Sequence, residues 1–226
     1  MIYEVGRTRI RLREGELFIT FEGIEGCGKT TQVERLVKRL NRFDIPLITT
    51  LEPGGTNIGK RIREILLDSN NKNLSPLTEL LLYAADRAQH VDEVIKHALD
   101  QGKWVICDRF FDATVVYQGS AREQDMELIR ILNDKVTKGI KPDLTFLLDC
   151  AEELGLGRAI TRNKTQSHKG QDRFEREKLD FHRAVRRGYL ELARKNHERF
   201  AVIDATLAED EVEKKIFEHI QPFLNV

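Results

Sequence analysis

Residues 17 to 31 read Leu-Phe-Ile-Thr-Phe-Glu-Gly-Ile-Glu-Gly-Cys-Gly-Lys-Thr-Thr. Gly23, four intervening residues, then Gly28, Lys29 and Thr30 complete the phosphate-loop pattern. Glycines let backbone N–H groups curl around phosphate oxygens, and the helix that follows offers the positive end of its dipole. Lys29 is spaced to reach β- and γ-phosphates, and the Thr30 hydroxyl to ligate Mg²⁺. The context fits: 17–21 is an apolar, β-branched run that predicts a buried strand, and helical periodicity begins at Lys29. The motif implies a nucleoside triphosphate ligand. Cys27 sits inside the loop and could be alkylated or oxidised, but the plainer reading is a small residue that fits.

Three further constellations could do chemistry. Tyr83 and Arg87 lie one helical turn apart, at the margin of a stripe formed by Leu77, Leu81, Ala84, Ala88 and Ile95. An aromatic ring beside a guanidinium could stack on a nucleobase and bond its edge; the alternative is a snorkelling Arg beside a half-buried Tyr. The run 108–119 opens with Asp108 and Arg109, a carboxylate for Mg²⁺ or its water and a bidentate phosphate ligand. Asp149 is the rival carboxylate, ranked second because no arginine accompanies it. Last, Arg158, Arg162, Lys164, Lys169 and Arg173 bracket the polar linker 163–171. Such a basic segment could close over a transferring phosphoryl group, or be a solvated loop.

The elements that must position these residues follow from periodicity. After the strand at 17–21 come a helix to about 43, a strand at 46–50, a tight loop at 52–56 and a helix over 58–66. Ser75-Pro76 starts the next helix, with Glu79 placed to cap it, and Gly102 ends it. Strands follow at 103–107, 144–148 and 200–203. Helices are expected at 123–138, 152–162, 174–197 and 209–223. This alternation predicts an α/β fold with a five-stranded parallel sheet, helices on both faces and a short lid at about 158–173. Ligands in such sheets gather beyond the carboxyl ends of the strands. The phosphate loop, the 52–55 loop, Asp108-Arg109, Asp149 and Asp204-Ala205 should therefore share one rim.

Composition narrows the field. Lysine plus arginine and aspartate plus glutamate are both 37, so net charge is zero, which lends no support to a nucleic-acid or membrane-surface role. No apolar run approaches the roughly 20 residues of a membrane helix. Three cysteines without metal-ligand spacing point to a reducing, cytoplasmic setting. Residues 1–16, where Arg7, Arg9, Arg11 and Arg13 alternate with Thr8, Ile10 and Leu12, lack the apolar stretch of a secretory signal. They read as an ordered edge strand or a loose extension ahead of a domain over 17–226. A switch GTPase would need Asn-Lys-x-Asp, and the nearest match, Asn163-Lys164-Thr165-Gln166, lacks the acid. Phosphoryl transfer between small molecules is the reading that remains strongest.

From about Leu17 to the last helix the chain resembles bacterial thymidylate kinases. The resemblance rests on 21–31, Glu52-Pro53-Gly54-Gly55-Thr56, 82–90, 108–119, Asp172-Arg173-Phe174-Glu175 and 188–193. It implies transfer of the γ-phosphoryl group of ATP to dTMP, with Mg²⁺, in a homodimer. Gly23, Gly26, Cys27, Gly28, Lys29, Thr30, Thr31, Arg158 and Ala205 would serve ATP, and Thr30 and Asp108 the metal. Glu25 would accept a bond from the deoxyribose 3′-hydroxyl, and Arg109 would hold the dTMP phosphate. Tyr83, where the family usually has Phe, would stack on thymine. Arg87 and Thr114 would meet the base edge, with Pro53, Tyr117 and Gln118 close by, and the Tyr117 ring would crowd a 2′-hydroxyl. No arginine occupies the variable phosphate-loop positions, which implies the branch in which the lid supplies it, here Arg162. Two departures stand out: Leu51 replaces a usual arginine, and Ala113 a usual serine. A kinase for another small acceptor and a non-catalytic ATP-binding regulator are the competing readings.

Overall fold

The structure is a computed structural model that describes residues 2–5, 8–11, 15–165 and 172–224. Arg7, Leu12, Arg13, Lys169 and the linker from 166 to 171 lie outside the described residues. The first two strands, β1 (Ile2–Val5) and β2 (Thr8–Arg11), pair antiparallel with each other. These two strands form a separate two-stranded sheet and no edge of the main one.

The main sheet is built around β3 (Phe18–Glu22), every residue of which is buried. It lies between β5 (Trp104–Asp108) and β6 (Leu144–Asp149), with β4 (Leu47–Leu51) and β7 (Phe200–Asp204) outside them. All pairings are parallel. A central parallel strand is covered on both faces, so it reads as a continuous apolar run without alternation. Its side chains divide accordingly. Ile19 and Phe21 join a core that includes Leu36, Tyr189 and Ile216, whereas Phe18 packs on the other face with Val91, Ile95 and Phe110.

Helix α1 (Lys29–Leu40) follows the phosphate loop and buries Val33, Leu36 and Leu40. Three ion pairs from Arg35 to Glu209, Asp210 and Glu213 tie it to α9 (Glu209–Ile220). Helix α2 (Asn57–Leu67) is capped by Thr56, whose side chain accepts from the Gly59 N–H. Helix α3 (Pro76–His90) passes through a widened turn, Val91–Ile95, into α4 (Lys96–Asp100). Ser75 caps it through the Thr78 N–H. Glu79 does not take the capping role expected of it, because its carboxylate is buried and bonded to Gln118, Arg122 and Arg173. The expected stripe on this helix is also rotated. Leu77 and Leu81 are half exposed, and the buried face is Leu80, Ala84, Arg87 and Val91.

The run after Arg109 folds as α5 (Phe111–Thr114) and a second widened turn, Val115–Ala121. The sequence signalled no helix there, since Thr, Val and Gly are weak helix formers, and packing supplies what propensity lacks. Val116 is fully buried, and a Cβ on Gly188 would come within 2.9 Å of Ser120 Oγ, so the two segments nearly touch. Helix α6 (Met126–Thr137) starts three residues later than expected, at the Asp125 cap. Helix α7 (Glu152–Thr165) runs three residues further, and α8 (Leu179–Lys195) starts five later, leaving Phe174 in a turn.

Candidate active site

Gly23, Gly26 and Gly28 take φ of 138°, 69° and 97°, so three bends accessible to glycine curl the loop between β3 and α1. Lys29 Nζ donates to the carbonyls of Gly23 (3.0 Å) and Ile24 (2.8 Å) and lies 3.4 Å from Cys27 Sγ. The loop rests directly on the start of α7. A Cβ on Gly26 would meet the Gly155 carbonyl oxygen at 2.0 Å, and one on Gly155 the Glu25 carbonyl at 2.5 Å.

Across the loop, Thr30 Oγ1 donates to Asp108 Oδ2 at 2.8 Å, while Asp108 Oδ1 is buried without a hydrogen-bond partner. Asp149 has a partner of its own. Contrary to the expectation that no arginine accompanies it, Arg186 donates to both its oxygens at 2.7 and 3.0 Å.

Arg109 has φ of 70°, a conformation rare for a side chain of its size. Its backbone is held by Arg109 N–H to the Phe21 carbonyl (3.0 Å) and by the Cys107 thiol donating to the Arg109 carbonyl (2.9 Å). The next residue is held too: the Phe110 N–H donates to Glu22 Oε1 (2.8 Å) and the Phe110 carbonyl accepts from Arg87 (3.2 Å). The Arg109 guanidinium then reaches Glu25 Oε1 at 3.3 Å, which also accepts from the Tyr117 hydroxyl at 2.6 Å. Burial alone would raise the Glu25 pKa, but His182, Arg109, Lys29 and Tyr117 together lower it to about 2. Burial, with the Glu25 charge beside it, pushes the Tyr117 phenol up, so this hydroxyl stays a donor.

The helical pair expected to face a base is divided. Tyr83 is partly buried at the wall, whereas Arg87 is only 1% exposed. Its guanidinium bonds Glu52 Oε2 (2.8 Å), Asn133 Oδ1 (3.0 Å) and the Phe110 carbonyl, leaving two of its five donors for a ligand. Thr114 Oγ1 is buried without a partner. Tyr117 stacks edge-on against Phe174 at 5.5 Å, and Gln118 donates to Glu79. Arg158 donates to the Ala205 carbonyl at 3.2 Å, and Arg162 lies 3.7 Å from Glu175.

These residues line one cavity of about 850 Å³. Every residue assigned to ATP, dTMP or the metal borders it except Gly23, whose carbonyl instead anchors Lys29, while the rival carboxylate Asp149 and Arg173 of the basic segment lie off the lining. The sequence reading missed Arg63, which donates to the Pro53 carbonyl, Phe174, and the buried His182 behind Glu25. Arg63 could have been found by stepping along the helix from the Thr56 cap. His182 carried no signal beyond the buried spacing it shares with Val185 and Tyr189. Glu22 was also passed over. It is fully buried, and desolvation first, then the Asp112 charge, pushes its pKa up to about 8 despite bonds from Tyr189 and Phe110.

A glycine loop between a central parallel strand and its helix, opening on a hydroxyl–carboxylate pair, defines a P-loop nucleotide-binding protein. The family model for thymidylate kinase matches residues 21–216. A thymidylate kinase of Desulfosudis oleivorans is 56% identical over 190 residues, covering 84% of this chain and 89% of the relative. One of Geotalea uraniireducens is 52% identical over 199 residues, covering 88% and 93%. The crystal structure of thymidylate kinase from Ehrlichia chaffeensis superposes with a TM-score of 0.73 at 34% identity, covering 92% of this chain and 99% of that one. The chain belongs to the thymidylate kinase family.

The Glu22 environment makes a pH prediction. Its folded pKa lies above the unfolded value of 4.5, so its contribution to stability is complete below pH ~4.5 and is lost as pH rises through ~8. Glu22→Gln should flatten that decline, and urea midpoints at pH 5, 6.5 and 8 will show it. A wild-type slope preserved in the variant would refute the assignment.

Proposed function

We infer that the protein transfers the γ-phosphoryl group of ATP to dTMP, giving ADP and dTDP. The reading rests on one cavity bordered by both the phosphate loop and the Arg109–Tyr83 wall, in a chain of this family. An acceptor phosphate oxygen attacks the γ-phosphorus in line, and the bond to the β,γ-bridging oxygen breaks. The attacking phosphate oxygen is already ionised at neutral pH, so no general base is required, and catalysis is positioning plus charge neutralisation.

The residues divide between the two substrates. Gly26, Cys27, Gly28, Thr31 and Ala205 would border the ATP phosphates and base, with Lys29 moving from its own loop to the transferring group and Gly23 shaping the turn. Arg109, kept cationic by Tyr117, Glu25 and Asp108 against its burial, would hold the acceptor phosphate. Tyr83 would stack on thymine, Arg87, Thr114 and Gln118 would meet its edge, and Pro53 would floor the pocket. Glu25 would take the 3′-hydroxyl, beside the Tyr117 ring. Arg63 lines the same rim and offers a guanidinium near the position where Leu51 has none. Thr30 and Asp108 suit a hard cation: both offer oxygen, and Asp108 Oδ1 is a buried acceptor with no hydrogen bond, 3.8 Å from the Arg109 guanidinium. Bound Mg²⁺ would neutralise charge on the phosphates there. Residues 158–173 would form the lid of a domain over 17–226, with 1–16 as an extension.

We place the protein in the cytoplasm, in keeping with three unpaired cysteines; among the described residues no helix is long and apolar enough to cross a membrane. We also assign it a homodimeric state. Helices α2, α3 and α6 pack side by side and leave Ile58, Ile65, Leu77, Leu81 and Ile131 about half exposed on adjoining helices, an apolar patch of the kind that marks an interface.

In a coupled assay of ADP release over a panel of nucleoside monophosphates, dTMP should be the best acceptor and dUMP weaker. A better acceptor of another base would overturn the substrate, and ATP binding without acceptor-dependent release would overturn the activity. Arg162→Ala should lower kcat by ~10³ with nucleotide affinity changed far less; a loss under tenfold rejects its role at the transferring group. Sedimentation should give twice the chain mass, and Leu81→Glu should halve it; a wild-type monomer would dismiss the dimer.

A further inference from the structure

On α8, His182, Val185 and Tyr189 form the buried face, and His182 is fully buried. Its Nδ1 lies 3.4 Å from Glu25 Oε2. Neither ring nitrogen of His182 makes a hydrogen bond, and nor does the buried Oε2, so the 3.4 Å approach joins two groups that are otherwise orphaned. The two carboxylate oxygens therefore live in different surroundings. Oε1 is ringed by Tyr117 and Arg109, two residues of the cavity wall, while Oε2 is turned inward to the imidazole. The Phe181 ring stands at 87° to the imidazole, 5.5 Å away, and limits its rotation. A carboxylate is free to spin about its last bond unless both oxygens are engaged, and removing one partner of a buried charged group leaves it unsatisfied.

We propose that His182 is a positioning residue that fixes the rotation of Glu25, and through it the enzyme's discrimination for a 3′-hydroxyl on the acceptor. A small closure of the 3.4 Å gap lets Nδ1–H donate to Oε2 and hold that oxygen inward, so that Oε1, already polarised by Tyr117 and Arg109, faces the sugar. The inference rests on the reading of Glu25 as the 3′-hydroxyl acceptor. It adds that the selectivity belongs to the Glu25–His182 pair, because Glu25 released from His182 would turn an unfixed carboxylate to the sugar.

The test compares dTMP with its 3′-deoxy analogue, each with saturating Mg²⁺ and ATP. Asparagine can present an amide N–H near the place of Nδ1 and glutamine near that of Nε2, so both variants are polar and of similar shape. His182→Gln should lower kcat/KM for dTMP about tenfold, as expected for a lost bond to a charged group, while the 3′-deoxy analogue changes less than twofold. His182→Asn should keep most of the wild-type preference. A fall of equal size on both substrates for His182→Gln, or equal behaviour of the two variants, would mean His182 only packs the core and would overturn the proposal. Glu25→Ala separates the two layers. Loss of the preference in Glu25→Ala but not in His182→Gln sinks the positioning role alone, whereas a preference that survives Glu25→Ala removes the role of Glu25 and the proposal with it.

Discussion

The site depends on one strained residue. Arg109 stands in a left-handed backbone conformation at the tip of β5, a state that costs of order 1–3 kcal/mol for a side chain of this kind. Released, the backbone would relax and carry the guanidinium off the cavity wall. Four bonds to the backbone of two consecutive residues prevent this, and they come from β3, from β5 itself and from α3. Three of the four partners, Glu22, Arg87 and the Cys107 thiol, are buried side chains. Their burial is what keeps solvent from competing for the same peptide groups. The position of this guanidinium is thus decided by the core, well behind the cavity wall it joins.

The same solution recurs around the cavity. Glu52 is closed by Arg87 and His90, Glu79 by Arg122 and Arg173, and Asp112 by both arms of Arg199. Each buried acid meets a partner from a segment distant in sequence. Such pairs add little net stability over an apolar core, yet breaking one leaves an uncompensated charge. Their effect is geometric, since each admits only one arrangement of the helices that carry it. Glu79 joins α3 to the turn holding Phe174, whose ring in turn bears on Tyr117.

Much of this was legible in the chain, and the reason differs from residue to residue. The phosphate loop, its lysine and its threonine were visible because the chemistry is local: the glycines that bend the loop lie within six residues of the groups they position. Asp108, Arg109 and Ala205 were visible because a parallel sheet delivers strand tips to one edge. Glu79 misled because capping and burial use the same residue type at the same spacing, and only the distant Arg173 decides between them. The stripe on α3 misled because periodicity finds an apolar face without saying whether core or another surface covers it; Leu77 and Leu81 face outward, and Arg87 takes the core side. The helical turns after Arg109 left no trace in propensity, since contact with α8 holds them. His182 was silent for a similar reason: its partner lies on the first loop of the fold, more than 150 positions earlier.

The contact between Gly26 and Gly155 has a mechanical corollary. Two main chains meet there with no side chain between them, so no rotamer is available to absorb a shift. Helix α7, which carries Arg158 and Arg162, is seated on the phosphate loop like a lever on its fulcrum. Rocking that helix at its near end would displace the loop as a rigid piece, and swing at its far end would leave the loop in place. A pivot at Gly155 would therefore carry Arg162, further along the helix, through a longer arc than Arg158.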